Sequence, residues 1–152
     1  MAKISQEALV ELRERTGVSL MECKKALVTA GGDLERALDI LKERSVAVAA
    51  KKQGRALGAG VVAAYVHAGA QVGAMVLLSS ETDFVAKNEV FIALAREIAM
   101  HAAAMRPQEV SELLKQPFIK DAGKTIEHLV SEAVQKFGER IEVSQVVIYS
   151  VK

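Results

Sequence analysis

Hydrophobic residues recur every three or four positions over the first part of the chain, in three successive segments. Each segment begins at a residue that can cap a helix: Ser5, Ser19 and Asp33. Gly17 follows the first segment, where a helix can end in a left-handed turn. The pattern predicts a three-helix domain over residues 1–44, and so short a domain can bury only a small core.

Residues 45–57 carry Lys51, Lys52 and Arg55 without a matching acidic residue. Two interpretations are open, a contact with phosphates or a solvated tether between domains. The chain as a whole is balanced, with 20 basic and 19 acidic side chains. This balance favours the tether, because proteins that bind polyanions usually carry a clear basic excess.

From residue 58 the hydrophobic period changes. Two Val-rich segments, 60–67 and 71–80, are short enough to be strands, and Gly69 between them suits a hairpin. A helical period then returns, with one apolar stripe formed by Phe91, Leu94, Ala95, Ile98, Ala102 and Met105. Two further helices are predicted, one before Pro117 and one ending at Gly138.

The last segment, residues 141–151, alternates at Ile141 and Val143 and then becomes more continuously apolar, which is typical of a more buried strand. The predicted order is therefore β-β-α-α-α-β. It favours the α+β class, with a three-stranded antiparallel sheet packed with helices over residues 58–152.

Composition excludes several functional classes. The chain has 152 residues, of which 51% are apolar, but no apolar stretch is long enough to cross a bilayer. Cys23 is the only cysteine, so an internal disulfide and a cysteine metal cluster are both excluded. We expect a cytoplasmic protein that binds neither membranes nor nucleic acid directly.

No catalytic constellation stands out. Cys23 lies inside a predicted helix, and His67, His101 and His128 fall on different elements without metal-ligand spacing. Glycine-rich phosphate loops are absent from the sequence. A cysteine hydrolase using Cys23 and His67 would need these residues to meet across two domains. The sequence therefore predicts no enzyme, no metal and no cofactor.

Asp83 and Phe84 lie at the junction between a predicted strand and a predicted helix. By local pattern alone, Phe84 is a hydrophobic staple and Asp83 an acid favoured at a helix start.

Longer motifs change this interpretation. The segments "LRERTGVSLMECKKAL" at 12–27 and "TDFVAKNEVF" at 82–91 resemble two signatures of the elongation factor Ts family. Segments 65–73, 95–107 and 116–130 resemble further parts of that family in the same order. The resemblance covers nearly the whole chain.

The resemblance implies a guanine-nucleotide exchange factor for GDP-bound elongation factor Tu. It implies a ubiquitin-associated-like head that docks on the partner, and an intruding pair, Asp83 and Phe84, near the partner's magnesium and phosphate site. The residues that it assigns to the partner contact are Arg13, Leu20, Met21, Lys24, His67, Thr82, Asp83, Phe84 and Val85. Without the resemblance, burial of Leu20 and Met21 in the head would be favoured.

The chain departs from the family pattern after Pro107, where only "QEVSELLK" stands in place of a longer helical stretch. It resembles the short members, which carry one sheet module, and this implies a homodimer. The alternative function is a tethering module that binds elongation factor Tu without efficient exchange. The intact "TDFVAK" favours exchange over tethering.

Overall fold

The computed structural model describes residues 4–152, so the first three positions of the predicted head lie outside it. The head contains three helices: α1 (Gln6–Thr16), α2 (Leu20–Thr29) and α3 (Leu34–Lys51). All three predicted caps are confirmed, because the side chains of Ser5, Ser19 and Asp33 each accept a hydrogen bond from a backbone N–H in the first turn. Gly17 ends α1 with a φ of 66°.

The head has a core of its own. Its buried side chains come from all three helices and from the two turns that join them: Leu12, Val18, Cys23, Ala26, Leu27, Ala30, Ala37 and Leu41. Aromatic residues are absent from this core, and the packing depends on aliphatic side chains of modest size.

The first half of the predicted tether is helical in the structure, because α3 continues to Lys51. Alanines at 47, 49 and 50 favour the helix, and Ser45 is fully buried. Val48 and Ala49 pack against the core of the body, so this part of α3 lies between the two cores. Lys52, counted above among possible phosphate contacts, donates to the carbonyl of Gly138 at 3.1 Å.

The body confirms the α+β class. Strands β1 (Ala59–Val66), β2 (Val72–Ser80) and β5 (Ile141–Ser150) form an antiparallel sheet in the order β1-β2-β5. The intervening helices are α4 (Asp83–Ala86), α5 (Glu89–Met105), α6 (Val110–Lys115) and α7 (Ile126–Phe137). A small hairpin, β3 (Pro117–Phe118) with β4 (Asp121–Thr125), was not predicted from the sequence.

Within residues 4–152, helices cover one face of the sheet and leave the other open. Val76 and Leu78 point toward α5 and are buried with Phe91 and Ile98. On the opposite face, Val62, Val66, Met75, Val147 and Tyr149 are exposed. The sheet therefore has one packed face and one open apolar face.

A bulge explains the pattern of the last strand. Leu78 pairs with Val143 but Leu77 pairs with Gln145, so Ser144 is an extra residue. The inward positions then become Val146 and Ile148, while Val147 is exposed. The prediction of a more buried strand was wrong, because the apolar run covers both faces of an edge strand.

His101 is fully buried on α5 and ties the β3–β4 hairpin to it. Its Nε2 lies 3.0 Å from Oε1 of Gln116, and its Nδ1 accepts the backbone N–H of Ile119 at 3.3 Å. This arrangement requires the neutral imidazole, protonated on Nε2. Burial lowers the pKa of His101 below its ordinary value of 6.5, and the bond to Gln116 partly opposes that shift.

We expect His101 to make stability fall in weak acid. Both folded and unfolded states hold a neutral imidazole well above pH 6.5. Below that pH the unfolded chain binds a proton first, so the free energy of unfolding decreases by up to about 1.4 kcal/mol per pH unit until the folded pKa is reached. Urea unfolding of the wild type and His101→Gln at pH 8, 7, 6 and 5 measures this loss as the difference between the two curves. Parallel curves would contradict it.

Candidate functional site

Phe84 projects into solvent from a one-turn helix. The helix α4 follows β2 after only two residues, and Asn88 then caps α5 by accepting the N–H of Val90. Within this turn, Val85 and Ala86 are buried in the body, whereas 86% of Phe84 is exposed. The staple interpretation is therefore wrong, because no part of residues 4–152 buries the side chain of Phe84.

Val85 was also assigned to the partner contact, and here the structure differs. Its side chain is buried with Ala86 in the core of the body. In a one-turn helix, residues 83 and 84 face outward when 85 and 86 face inward, because each position rotates by about 100°. Val85 therefore anchors the turn that presents Asp83 and Phe84.

The base of this turn is held by two glutamates. The carboxylate of Glu139 accepts the backbone N–H of Thr82 at 3.0 Å and its hydroxyl at 2.6 Å. The carboxylate of Glu81 accepts the backbone N–H of Arg140 at 2.7 Å. That N–H lowers the pKa of Glu81; burial partly opposes the shift, and Arg55 adds to it. Sequence reasoning missed Glu139, because no local pattern links positions 57 residues apart.

The predicted contact residues of the head are exposed. Arg13 lies on α1, and Leu20, Met21 and Lys24 lie on the first turns of α2. The exposed fraction of Met21 is 68%, so burial in the head core is excluded as its role. Val28 extends the same face, since positions 21, 24 and 28 are neighbours on a helix surface.

His67 lies at the other end of the sheet from Phe84. It is exposed at the β1–β2 turn, where its Nδ1 lies 3.0 Å from the hydroxyl of Tyr65. The intervening strand β2 has nine residues and so spans roughly 26 Å at about 3.3 Å per residue. The structure therefore does not bring His67 and Phe84 into one pocket, and a partner touching both must extend along the sheet.

The structure does not support the cysteine hydrolase. Cys23 is fully buried in the head, with its Sγ 3.6 Å from the carbonyl oxygen of Val18, and His67 is exposed on the body. Within residues 4–152, no three His, Cys, Asp or Glu side chains are grouped so that they could hold a metal ion. Across the same range no helix combines the length and the apolar character that a membrane span needs.

Comparison with known proteins identifies relatives that align with nearly the full length of this chain. The family model "Elongation factor TS" matches residues 81–152. An elongation factor Ts from Desulforamulus reducens is 39% identical over 196 residues, covering 99% of this chain and 90% of the relative. The elongation factor Ts from Thermosipho melanesiensis is 38% identical, and the alignment covers 97% of this chain and 98% of the relative. The one from Trichlorobacter lovleyi is 42% identical, and the alignment covers 97% of this chain but 47% of the relative.

The alignments also show a difference in length. The alignment with the Desulforamulus reducens protein has 196 positions and this chain has 152 residues, so at least 44 positions of that relative have no counterpart here. The relative therefore carries residues that have no counterpart in this chain.

The exposure of Phe84 predicts that its side chain contributes little to folding. We expect Phe84→Ala to change the free energy of unfolding by less than about 0.5 kcal/mol, as is usual for a surface substitution. The matched control is Phe91→Ala, which removes a fully buried ring from the same region and should cost about 3–5 kcal/mol. Urea unfolding followed by circular dichroism measures both. A loss in Phe84→Ala comparable to that in Phe91→Ala would restore the staple.

Proposed function

Because this chain belongs to the elongation factor Ts family, we propose that it is a guanine-nucleotide exchange factor that binds GDP-bound elongation factor Tu and promotes GDP release during translation elongation. The observation that carries the proposal is Phe84. A bulky apolar side chain is held 86% exposed on a turn whose base is fixed by hydrogen bonds. Large aromatic side chains of this kind supply much of the binding energy when a partner buries them.

Exchange needs no chemical step. The factor binds more tightly to a state of the partner in which the contacts to GDP and its magnesium ion are strained, and by linkage it lowers the affinity for GDP. A coupling of about 4 kcal/mol speeds release roughly a thousandfold if it acts entirely on dissociation. In this proposal the protein is not an enzyme, because it makes and breaks no covalent bonds. Exchange then requires neither a cofactor nor nucleic acid bound to it. The place of action in this proposal is the cytoplasm.

The head supplies docking area in this scheme. Its three helices form a ubiquitin-associated-like unit that offers Leu20 and Met21 as apolar contacts beside Arg13 and Lys24. Met21 suits an irregular surface because its thioether side chain is unbranched and adapts its shape. We retain the division into a docking head and a core body, with the boundary moved to the end of α3.

A second candidate is a module that binds elongation factor Tu without efficient exchange. The difference in length favours it, since at least 44 positions of the Desulforamulus reducens relative are missing here, and any partner contacts made by them are lost. Against it stands the exposed Asp83–Phe84 turn, which tethering would not require. The rate of GDP release separates the two candidates.

We also propose a homodimer that pairs through the body. The open face of the sheet carries Val62, Met75, Val147 and Tyr149, and a groove of about 410 Å³ beside Met75 and Tyr149 is lined without a charged side chain. In addition, β5 is an edge strand rich in Val and Ile. Exposed faces and edges of this kind recruit another chain, and two-fold symmetry is the commonest way to close such a contact.

Sedimentation equilibrium at micromolar concentration tests the dimer. We expect a mass about twice the 16.3 kDa of the chain, and Met75→Lys should shift it toward the monomer because it places a charge in the paired face. Met105→Lys is the matched control, since Met105 is equally exposed but lies at the end of α5. A wild-type mass of one chain that does not change with concentration would overturn the dimer.

Stopped-flow release of fluorescent GDP from elongation factor Tu tests exchange. We expect the wild type to accelerate release strongly and Phe84→Ala to lose at least about tenfold of that acceleration, the cost of removing one binding hot spot. Val46→Ala is the control, because it truncates an exposed apolar residue on α3, outside the proposed contacts. Binding without acceleration by the wild type would select the tethering module.

A further inference from the structure

The turn that carries Phe84 and the turn before β5 exchange hydrogen bonds in both directions. Glu139 accepts the N–H and the hydroxyl of Thr82, and Glu81 accepts the N–H of Arg140. We call these four residues the two-glutamate clamp. Each glutamate lies beside the residue that the other one binds, so the two turns are held together by three hydrogen bonds over a sequence separation of almost sixty residues.

The helix α4 depends on outside support. A helix of four residues has no stability of its own, because nucleation costs more than one turn returns. Thr82 precedes its first residue but makes no capping bond with its side chain. Its hydroxyl instead donates a hydrogen bond to the carboxylate of Glu139. Hydrogen bonds to a charged carboxylate are stronger than hydrogen bonds between neutral groups. Burial of Val85 and Ala86 fixes one side of the turn. On the other side, the two Thr82–Glu139 bonds act beside a bond of 3.1 Å from the hydroxyl of Ser80 to the carbonyl of Thr82.

The two glutamates differ in how many contacts they support. Glu81 also pairs with Arg55 at 3.4 Å, and Arg140 donates to the carbonyl of Arg55 and pairs with Glu142. Replacing Glu81 would therefore disturb the connection between α3 and β1 as well. Within residues 4–152, Glu139 takes part in no ion pair. Both hydrogen bonds that its carboxylate accepts are donated by Thr82. Its removal thus alters the α4 turn with the least disturbance elsewhere.

We propose that Glu139 is a positioning residue for nucleotide exchange, which acts through Thr82 to hold Phe84 in the orientation that the partner receives. This inference rests on the proposed function and deepens it. A side chain held in its bound orientation loses less conformational freedom on binding, so more of its contact energy remains to strain the nucleotide site. Without Glu139, α4 keeps the buried anchors Val85 and Ala86 and the single bond from Ser80 to the carbonyl of Thr82, but it loses both bonds that hold the N–H and the hydroxyl of Thr82, so Phe84 samples more directions.

The test compares Glu139→Ala, Glu139→Gln and Phe84→Ala in fluorescent GDP release from elongation factor Tu, at a series of exchange-factor concentrations. Glu139→Ala should slow release at saturation by about tenfold, the scale expected when a contact loses its preorganisation. The half-saturating concentration should change by less than about twofold, because the head surface is untouched. Glu139→Gln should restore most of the rate, since an amide oxygen can still accept the N–H of Thr82.

Two further measurements separate positioning from a merely structural role. Glu139→Ala should have no added effect in the Phe84→Ala background, because it acts only through that ring. Amide hydrogen exchange at Thr82, which needs no partner, should be faster in Glu139→Ala than in the wild type or Glu139→Gln. Together these results would support the proposal.

Three outcomes would overturn it. Glu139→Ala could release GDP at the wild-type rate while its Thr82 amide is deprotected, so that the bond has no effect on exchange. Glu139→Ala could slow the Phe84→Ala variant further, so that it acts elsewhere. If the wild type itself fails to speed release, the proposed function fails and the role in exchange fails with it, whereas the first two outcomes leave the proposed function standing.

Discussion

The pairing of β2 with both neighbouring strands is the constraint on which the rest of the body depends. Its register places Ser80 opposite Ile141, so the residues just beyond the strand ends, 81–82 and 139–140, must meet. The two-glutamate clamp is therefore a consequence of strand register. The same strand begins beside His67 and ends before Phe84, which separates these two residues by the full length of the sheet.

Some of the largest apolar side chains of this protein are not buried by its fold. Only 4% of its residues are aromatic, yet Phe84 and Tyr149 are mostly exposed. Burying a large apolar side chain contributes about 1.5–3 kcal/mol, a substantial fraction of the stability of a small domain. The core of the body instead packs Ala, Val, Leu and Ile side chains against Phe91 and Phe118. These two rings thus contribute little burial energy to the fold of residues 4–152.

Local patterns predicted what depends on local physics. The caps at Ser5, Ser19 and Asp33 and the end of α5 before Pro107 follow from interactions within one turn, although Met105, the last residue of the predicted apolar stripe, is exposed. The failures arise where distant parts of the chain meet. The extension of α3 is fixed by packing on the body, and the bulge at Ser144 by pairing with β2. The outward direction of Phe84 and the inward direction of Val85 follow from how α4 sits on the core, and Glu139 becomes significant only through the register of β5.

Contacts between head and body bear on how the proposed exchange would use binding energy. The amines of Lys42 and Lys52 donate to the carbonyls of Gly123 and Gly138, and α3 packs against the body core through Val48 and Ala49. A head on a loose tether would dock without constraining Phe84, because a flexible linker transmits only an effective concentration. A head braced in this way fixes where Phe84 lies relative to the docked surface. In the proposed exchange, binding energy from Met21 and its neighbours would then be available to press Phe84 against a partner that resists it, which is the requirement for strain at a distant nucleotide site.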